Sequence, residues 1–343
     1  MATSTNNTGK KILVTGASGF IGSFIVEQGL ALGYEVWAGT RKSSNRRYLK
    51  DTRIKFIELN LEEKETLATQ IASFTQEQGA WDYVIHAAGV TKCLDKKEFL
   101  RTNFEGTKNL VEALKENNAT PRKFIYLSSL SIFGPAREEE PHTPIQESDL
   151  AAPNTAYGHS KLMAEGYIRN CGIPYIILRP TGVYGPRERD YYQMAVSIKK
   201  HIDFAVGYKK QTITFIYVED LVDAIYLAAE SNITNRSYFV SEPVGYSSRS
   251  FSDYIQESLG IKQVLHITAP LWVLKAISTL SELVAWLTKK PATLNSDKYN
   301  IMKQRNWLCD TTPIESELGF KARYSLYEGT KKTIEWYKQE KWL

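Results

Sequence analysis

A chain of 343 residues, 43% hydrophobic and 24% charged, has the composition of a soluble globular protein and the length for one large α/β domain, alone or with a smaller companion. Its formal net charge of +5 is mild and its basic residues are scattered, which argues against a nucleic-acid-binding surface; one cluster, Arg41, Lys42, Arg46, Arg47 and Lys50, leaves room for a local anion site. The three cysteines, Cys93, Cys171 and Cys309, have no metal-ligand spacing and make no disulfide framework, so a reducing compartment and no metal are expected.

Residues 1–9 are polar and read as a frayed tail without the apolar core of a signal peptide, consistent with a cytoplasmic protein. The run Lys10–Gly22 (KKILVTGASGFIG) then reads as a strand, Ile12–Thr15, turning tightly into a helix, Gly19–Leu32. Gly16 permits the turn, Gly19 leaves room for a pyrophosphate at the helix N-terminus, and Gly22 lets the helix pack close to the strand. Strands are expected at Glu35–Thr40, Ile54–Leu59, Tyr83–His86, Lys123–Leu127 and Tyr175–Leu178, with helices at about Glu62–Thr75, Glu98–Glu116 and Thr155–Asn170. This alternation predicts an α/β fold with a doubly wound parallel sheet, a Rossmann domain over 10–181.

Beyond Thr181 the pattern loosens. Gly182, Gly185 and Pro186 read as a loop, and a helix is expected over Tyr191–Lys200. The segment Thr212–Glu230, a strand followed by a helix, returns to the first domain, while 182–343 otherwise forms a smaller C-terminal substrate lobe. Its expected elements are a strand at Ser237–Val240 and helices near Ser250–Leu259, Leu271–Leu287 and Leu326–Gln339. The strongly apolar Leu271–Leu287 carries Lys275 and Glu282, which argues against a membrane span. It reads as a buried or substrate-covering helix, or as a surface for peripheral membrane contact.

Several residues carry candidate chemistry. The second strand ends in Thr40-Arg41, where an acid would grip the ribose hydroxyls of NAD; an arginine there suits a 2′-phosphate, so NADP(H) is favoured and NAD(H) is the second reading. Asn60 can bond adenine and Leu61 can cover it, although Asn60 also reads as a helix N-cap. The small residues Ala87, Ala88 and Gly89 allow close approach of backbone to ligand, and His86 before them reads as a packed strand-end histidine. Ser128, Ser129 and Ser131 bring hydroxyls to a strand end; Tyr157 and Lys161 share one helix face four residues apart. An ammonium near a phenol lowers its pKa and makes proton transfer practicable near neutrality.

In this order these motifs resemble the extended short-chain dehydrogenase/reductases of the NAD(P)-dependent epimerase/dehydratase superfamily. The matching stretches are TGASGFIG at 15–22, HAAG at 86–89, TNFEGTKNL at 102–110, YGHSK at 157–161, LRPTGVYGPR at 178–187 and FIYVEDLVDAI at 215–225. The resemblance implies that Tyr157 is the general acid/base, that Lys161 binds the nicotinamide ribose and lowers the tyrosine pKa, and that Ser129 orients the substrate, with Ser131 a less favoured substitute. It places Ser18, Phe20 and Ile21 with the three glycines around the cofactor, and Pro180 and Val183 at the nicotinamide pocket. It gives Asn103 a structural or proton-relay role, assigns Asp220 to local structure, and implies a homodimer through the helices around 98–116 and 155–170.

Two departures narrow the reading. Leu130 and Ser131 stand where sugar-nucleotide dehydratases carry an Asp-Glu pair, so dehydration is disfavoured, and Asn60 replaces the more usual aspartate. Thr40-Arg41 resembles dihydroflavonol-reductase-like ketoreductases, and Pro270, Pro291, Trp307, Glu317–Phe320 and Trp336-Tyr337 resemble sterol-dehydrogenase-like and hopanoid-associated epimerase-like relatives. The leading expectation is an NADP(H)-dependent oxidoreductase interconverting a ketone and a secondary alcohol on a bulky, mainly apolar small molecule. The alternatives are a nucleotide-diphosphate-sugar epimerase with bound NAD, for which Arg187, Arg189 and Arg249 could grip a diphosphate, and a non-catalytic cofactor-binding interaction protein.

Overall fold

The computed structural model describes residues 7–93, 95–288 and 294–343. Pro291 and the first six residues of the expected tail lie outside them. Asn7 is buried, and its amide donates to Glu230 Oε1 at 2.9 Å, so the chain is already tied down three residues before the expected boundary of the tail.

The elements run β1 (Lys11–Thr15), α1 (Phe20–Ala31), β2 (Glu35–Thr40), β3 (Lys55–Glu58), α2 (Lys64–Gln78), β4 (Tyr83–His86), α3 (Lys97–Phe99), a π-helical turn (Leu100–Glu105), α4 (Gly106–Glu116), β5 (Lys123–Leu127), a 3₁₀ turn (Leu130–Ile132), α5 (Ala156–Asn170) and β6 (Tyr175–Pro180). They continue with β7 (Gly182–Tyr184), α6 (Asp190–Lys199), β8 (Ile202–Val206), β9 (Phe215–Tyr217), α7 (Val218–Glu230), β10 (Arg236–Val240), α8 (Ser250–Leu259), β11 (Leu265–Ala269), α9 (Leu271–Thr288), α10 (Ser296–Lys303), α11 (Thr312–Leu318) and α12 (Leu326–Gln339). A seven-stranded sheet has the order β10-β6-β5-β4-β1-β2-β3, and its pairings β1–β2, β1–β4, β2–β3, β4–β5 and β5–β6 are parallel. The order steps outward from β1 in both directions, which is the doubly wound topology, with the switch between β1 and β4.

Contacts divide the chain into two units. The first comprises the chain up to Ser128, Ser160–Leu178 and Val222–Ser237. Its core packs Leu13, Val84, Phe124, Tyr126 and Ile177 of the sheet against Leu67, Ile71 and Phe74 of α2 and Leu110, Val111 and Leu114 of α4. Strands buried on both faces read as continuous apolar runs, which is why β1, β4 and β5 were legible. The second unit comprises Ser129–His159, Arg179–Leu221 and Tyr238–Leu343. Its core is largely aromatic, with Tyr184, Phe215, Tyr217, Phe251 and Tyr337 buried together.

The stretch read as a loop after Thr181 contains strand β7, which pairs in parallel with β9 in register Val183↔Ile216. Gly182 and Gly185 are there because of crowding: a Cβ on Gly182 would lie 2.7 Å from the Tyr191 hydroxyl, and one on Gly185 2.6 Å from Val218. Asp220 is fully buried and accepts hydrogen bonds from Arg323 Nε (3.2 Å) and the Tyr324 backbone (3.1 Å), pinning the segment before α12. Among the described residues no helix is long and apolar enough to cross a membrane.

Candidate active site

The glycine turn forms the first half of the site. Gly16 sits at φ +68°, in the left-handed region, and a Cβ there would lie 2.7 Å from both Ala87 O and Ala88 N. The β1–α1 turn and the loop leaving β4 therefore touch backbone to backbone, which only glycine allows. A Cβ on Gly22 would fall 2.1 Å from Gly16 O, so α1 begins directly under the turn. Gly19 is the N-cap of α1, and the first turn, Phe20-Ile21-Gly22, offers no carboxylate. The result is a helix N-terminus, whose first N–H groups have no intrahelical acceptor, in a side-chain-poor cradle beside half-buried Ser18, Phe20 and Ile21, a donor set that fits a dinucleotide pyrophosphate.

A buried polar network fixes the loop after β4. His86 is completely buried; Thr15 Oγ1 lies 2.7 Å from its Nδ1 and Thr107 Oγ1 2.9 Å from its Nε2. Burial, aided by the Lys161 charge, drives its pKa down to about 3, so it is a neutral structural histidine, as its place at a strand end suggests. Asn103, in the π-helical turn, clamps the next segment: its Oδ1 accepts from Val90 N (2.8 Å), and its Nδ2 donates to Val90 O (3.0 Å) and Ser160 Oγ (3.0 Å). A Cβ on Gly89 would lie 3.0 Å from Asn103 Oδ1 and 3.4 Å from Lys161 Nζ, so the glycine at the end of this loop also answers to close packing.

Lys161 is buried and donates from Nζ to Leu127 O at 2.7 Å, with its ammonium 4.8 Å from the Tyr126 ring centroid. Desolvation lowers its pKa to about 8, against the opposing effect of Glu165 one helical turn away. Above about 8 the folded chain binds fewer protons here than the unfolded chain, whose lysine titrates near 10.4, so stability rises with pH across that window. Lys161→Met is expected to flatten the rise, read from denaturant midpoints between pH 8 and 10; Lys123, also lowered to about 8 by burial, should supply the slope that survives.

In the second unit, Ser129 follows β5 and caps the 3₁₀ turn. Its hydroxyl accepts from Ser131 N (3.2 Å), donates to Ser131 Oγ (3.1 Å) and is hydrogen-bonded to Tyr157. Helix α5 presents Tyr157 in its first turn, one turn before Lys161. Close packing holds that turn: a Cβ on Gly158 would lie 2.5 Å from Ser131 O, and Thr155 Oγ1 accepts from Gly158 N at 3.0 Å. The lowered tyrosine pKa expected from the sequence is absent from the chain by itself. Burial outweighs the Ser129 bond and pushes Tyr157 up to about 12, so at neutral pH it is a protonated phenol. Pro180 is buried at the end of β6, and Val183 is half-buried in β7.

At the end of β2 the cation facing Thr40 is Arg46. Its Nη2 donates to Thr40 Oγ1 at 3.2 Å, and its guanidinium lies 4.1 Å from the Phe56 ring centroid. Arg41 is exposed, and its backbone N–H donates to Ser44 Oγ (2.9 Å). The basic cluster is legible in the sequence, but the loop geometry that brings Arg46 onto Thr40 is not. Asn60 is not a helix N-cap: α2 is capped by Glu63, and Asn60 N donates to Gln70 Oε1 at 3.0 Å. Leu61 is half-buried in contact range of Gly106. Of the three arginines considered for a diphosphate, Arg249 is engaged with Asp253 (3.0 Å) and His266 Nε2 (3.1 Å), and Arg189 lies over the Trp342 ring.

A parallel doubly wound sheet with a glycine cradle at its first turn defines a dinucleotide-binding fold. The chain belongs to the NAD dependent epimerase/dehydratase family, which it matches over residues 12–240. It is 27% identical over 288 residues to an uncharacterized UDP-glucose epimerase, YtcB, of Bacillus subtilis (75% of this chain, 85% of that one). It is 25% identical over 284 residues to 3 beta-hydroxysteroid dehydrogenase type 7 of Mus musculus (74% and 75%). The fold is also that of the UDP-glucuronic acid 4-epimerase of Bacillus cereus, solved in complex with NAD, at TM-score 0.74 and 23% identity over 96% of this chain and 99% of that one.

Proposed function

We propose that the protein is an NADP(H)-dependent oxidoreductase that interconverts a ketone and a secondary alcohol on a bulky, mainly apolar substrate. The observation that carries this reading is the hydrogen-bonded Ser129–Tyr157 pair, followed by buried Leu130 in place of an acid. A phenol held protonated and aligned by a serine can give its proton to a carbonyl oxygen or, ionised, take one from an alcohol. Ser129 holds the same substrate oxygen, and Lys161, with Asn103 and Ser160 behind it, binds the cofactor ribose. The nicotinamide, when bound, supplies or takes up hydride at the substrate carbon. Without a carboxylate beside Ser129, this set has no base placed to remove a neighbouring carbon-bound proton, as water elimination would require. The name of the mouse relative supports an apolar hydroxyl substrate.

Arg46 and Arg41 support the NADP(H) preference, since a guanidinium at the end of β2 binds a 2′-phosphate where a carboxylate would repel it. Arg46→Ala is expected to weaken NADP(H) binding about tenfold and to leave NAD(H) binding nearly unchanged, a loss in the range of one charge-assisted hydrogen bond. Calorimetric titration with both cofactors checks this; tighter NAD(H) binding by the unaltered protein overturns the preference.

A second reading, a nucleotide-sugar epimerase with retained NAD, is favoured by the name of the Bacillus subtilis relative. The deciding assay pairs hydroxysteroids and their ketones with added NADP+ or NADPH, and UDP-glucose without added cofactor. Turnover of the first set supports the leading reading; cofactor-free conversion of the UDP-sugar supports the second.

A further inference from the structure

The second unit carries an apolar surface with inverted polarity. Strands β8 and β11 form a two-stranded parallel sheet in register Ile202↔Leu265 and Phe204↔Ile267, so alternate residues share a face. One face carries Asp203 and His266: Asp203 is buried and accepts from Ser252 Oγ (3.1 Å), with His266 Nδ1 3.0 Å away. The other face presents Ile202, Phe204, Leu265 and Ile267, with Phe204 61% and Leu265 63% exposed. Pro270 links β11 directly to α9, and Leu271 lies near Gly207 at the end of β8, so sheet face and helix adjoin.

Helix α9 is turned the same way. Leu274 and Ser278 are buried and Ser281 and Ala285 are half-buried, whereas Trp272, Leu280, Leu283 and Leu287 are exposed, Trp272 by 73%. A helix packed only against its own protein would bury the second set. The surrounding charge is basic: Lys209 and Lys210 follow exposed Tyr208, and Lys275 flanks the helix stripe. Of the nearby acids, Asp203 is buried as described, Glu282 accepts from Ser296 N at 2.8 Å, and Asp253 is paired with Arg249 at 3.0 Å.

The geometry points to an anionic lipid surface as the occupant of this face, with α9 lying in the membrane plane and the β8–β11 face beside it. Large apolar side chains, an interfacial tryptophan and flanking lysines are what such docking needs. A second copy packed face to face would set one basic surface against another. Because α9 does not span the bilayer, attachment is reversible.

The test is co-sedimentation of the full chain with vesicles of 70% phosphatidylcholine and 30% phosphatidylglycerol. The expected result is binding at least about fivefold stronger than to pure phosphatidylcholine and reduced by 0.5 M salt. Leu280→Glu/Leu283→Glu/Leu287→Glu should reduce it about tenfold or more, and Lys209→Glu/Lys210→Glu should remove the preference for anionic lipid. Quenching of the intact protein by brominated lipid, diminished in Trp272→Phe, gives a readout that does not depend on the triple variant folding. Protein remaining in the supernatant, binding indifferent to these variants, or a dimer in sedimentation velocity that the triple variant dissociates would each overturn the assignment.

Discussion

Tyr157→Phe should lower kcat by roughly 10²–10⁴, the span of general acid/base catalysis, while the dissociation constant of the cofactor stays within about twofold. The ring remains, so the packing that buries it is kept, and Ser129 retains Ser131 as a partner. The pH dependence carries the same assignment. With Tyr157 pushed up to about 12, the protonated form needed for ketone reduction is already populated at neutral pH. Reduction should therefore be flat through neutrality, whereas alcohol oxidation, which needs the ionised phenol, should accelerate as pH rises. Bound oxidised cofactor, with its positive nicotinamide, would favour the phenolate, so the oxidation profile should bend below the value for the chain alone. Substantial turnover by Tyr157→Phe, or two profiles of the same shape, would remove Tyr157 from the reaction.

The largest expected structural effect is at Gly16. Alanine there meets two penalties: a left-handed φ, about 1–2 kcal/mol, and a methyl group 2.7 Å from the backbone of Ala87 and Ala88, which neither flank can yield cheaply. Gly16→Ala is expected to lower the melting temperature by several degrees and weaken binding of either cofactor by at least about tenfold. Differential scanning calorimetry and cofactor titration on the same sample measure both. Gly33→Ala, also at positive φ but with open space around the Cβ, separates backbone strain from crowding and should leave cofactor affinity unchanged.

The parts of the fold that sequence made legible are those whose signal is local. Strands β2, β4 and β5 and helices α8 and α12 begin and end where apolar period and flanking residues place them. α12 even carries a full capping box, with Ser325 and Glu328 bonded reciprocally. What stayed hidden is non-local. β8 is defined by pairing with a strand some sixty residues later, and nothing within Ile202–Val206 announces that partner. β7 lies in a glycine-rich stretch whose glycines answer to Tyr191 and Val218 rather than to a turn. At the site, the Ser–Tyr pair and the glycine cradle follow from motif order. The contact of Arg46 with Thr40 and Phe56 depends on how a loop folds back, and the elevation of Tyr157 depends on burial, which spacing does not report.

The interrupted makeup of the first unit bears on how the chain is made. Strand β6 and helix α7 come from stretches that follow Ser160 and Val222, and Glu230 at the end of α7 receives both the Asn7 amide and, at 2.7 Å, the Tyr34 hydroxyl. During synthesis the β1–β5 half leaves the ribosome with the β5 edge of its sheet unpaired until β6 (Tyr175–Pro180) follows, and α7 joins the unit later still. The apolar β5 edge is exposed in that interval, which makes it the point at which chaperone binding or misassembly competes with folding.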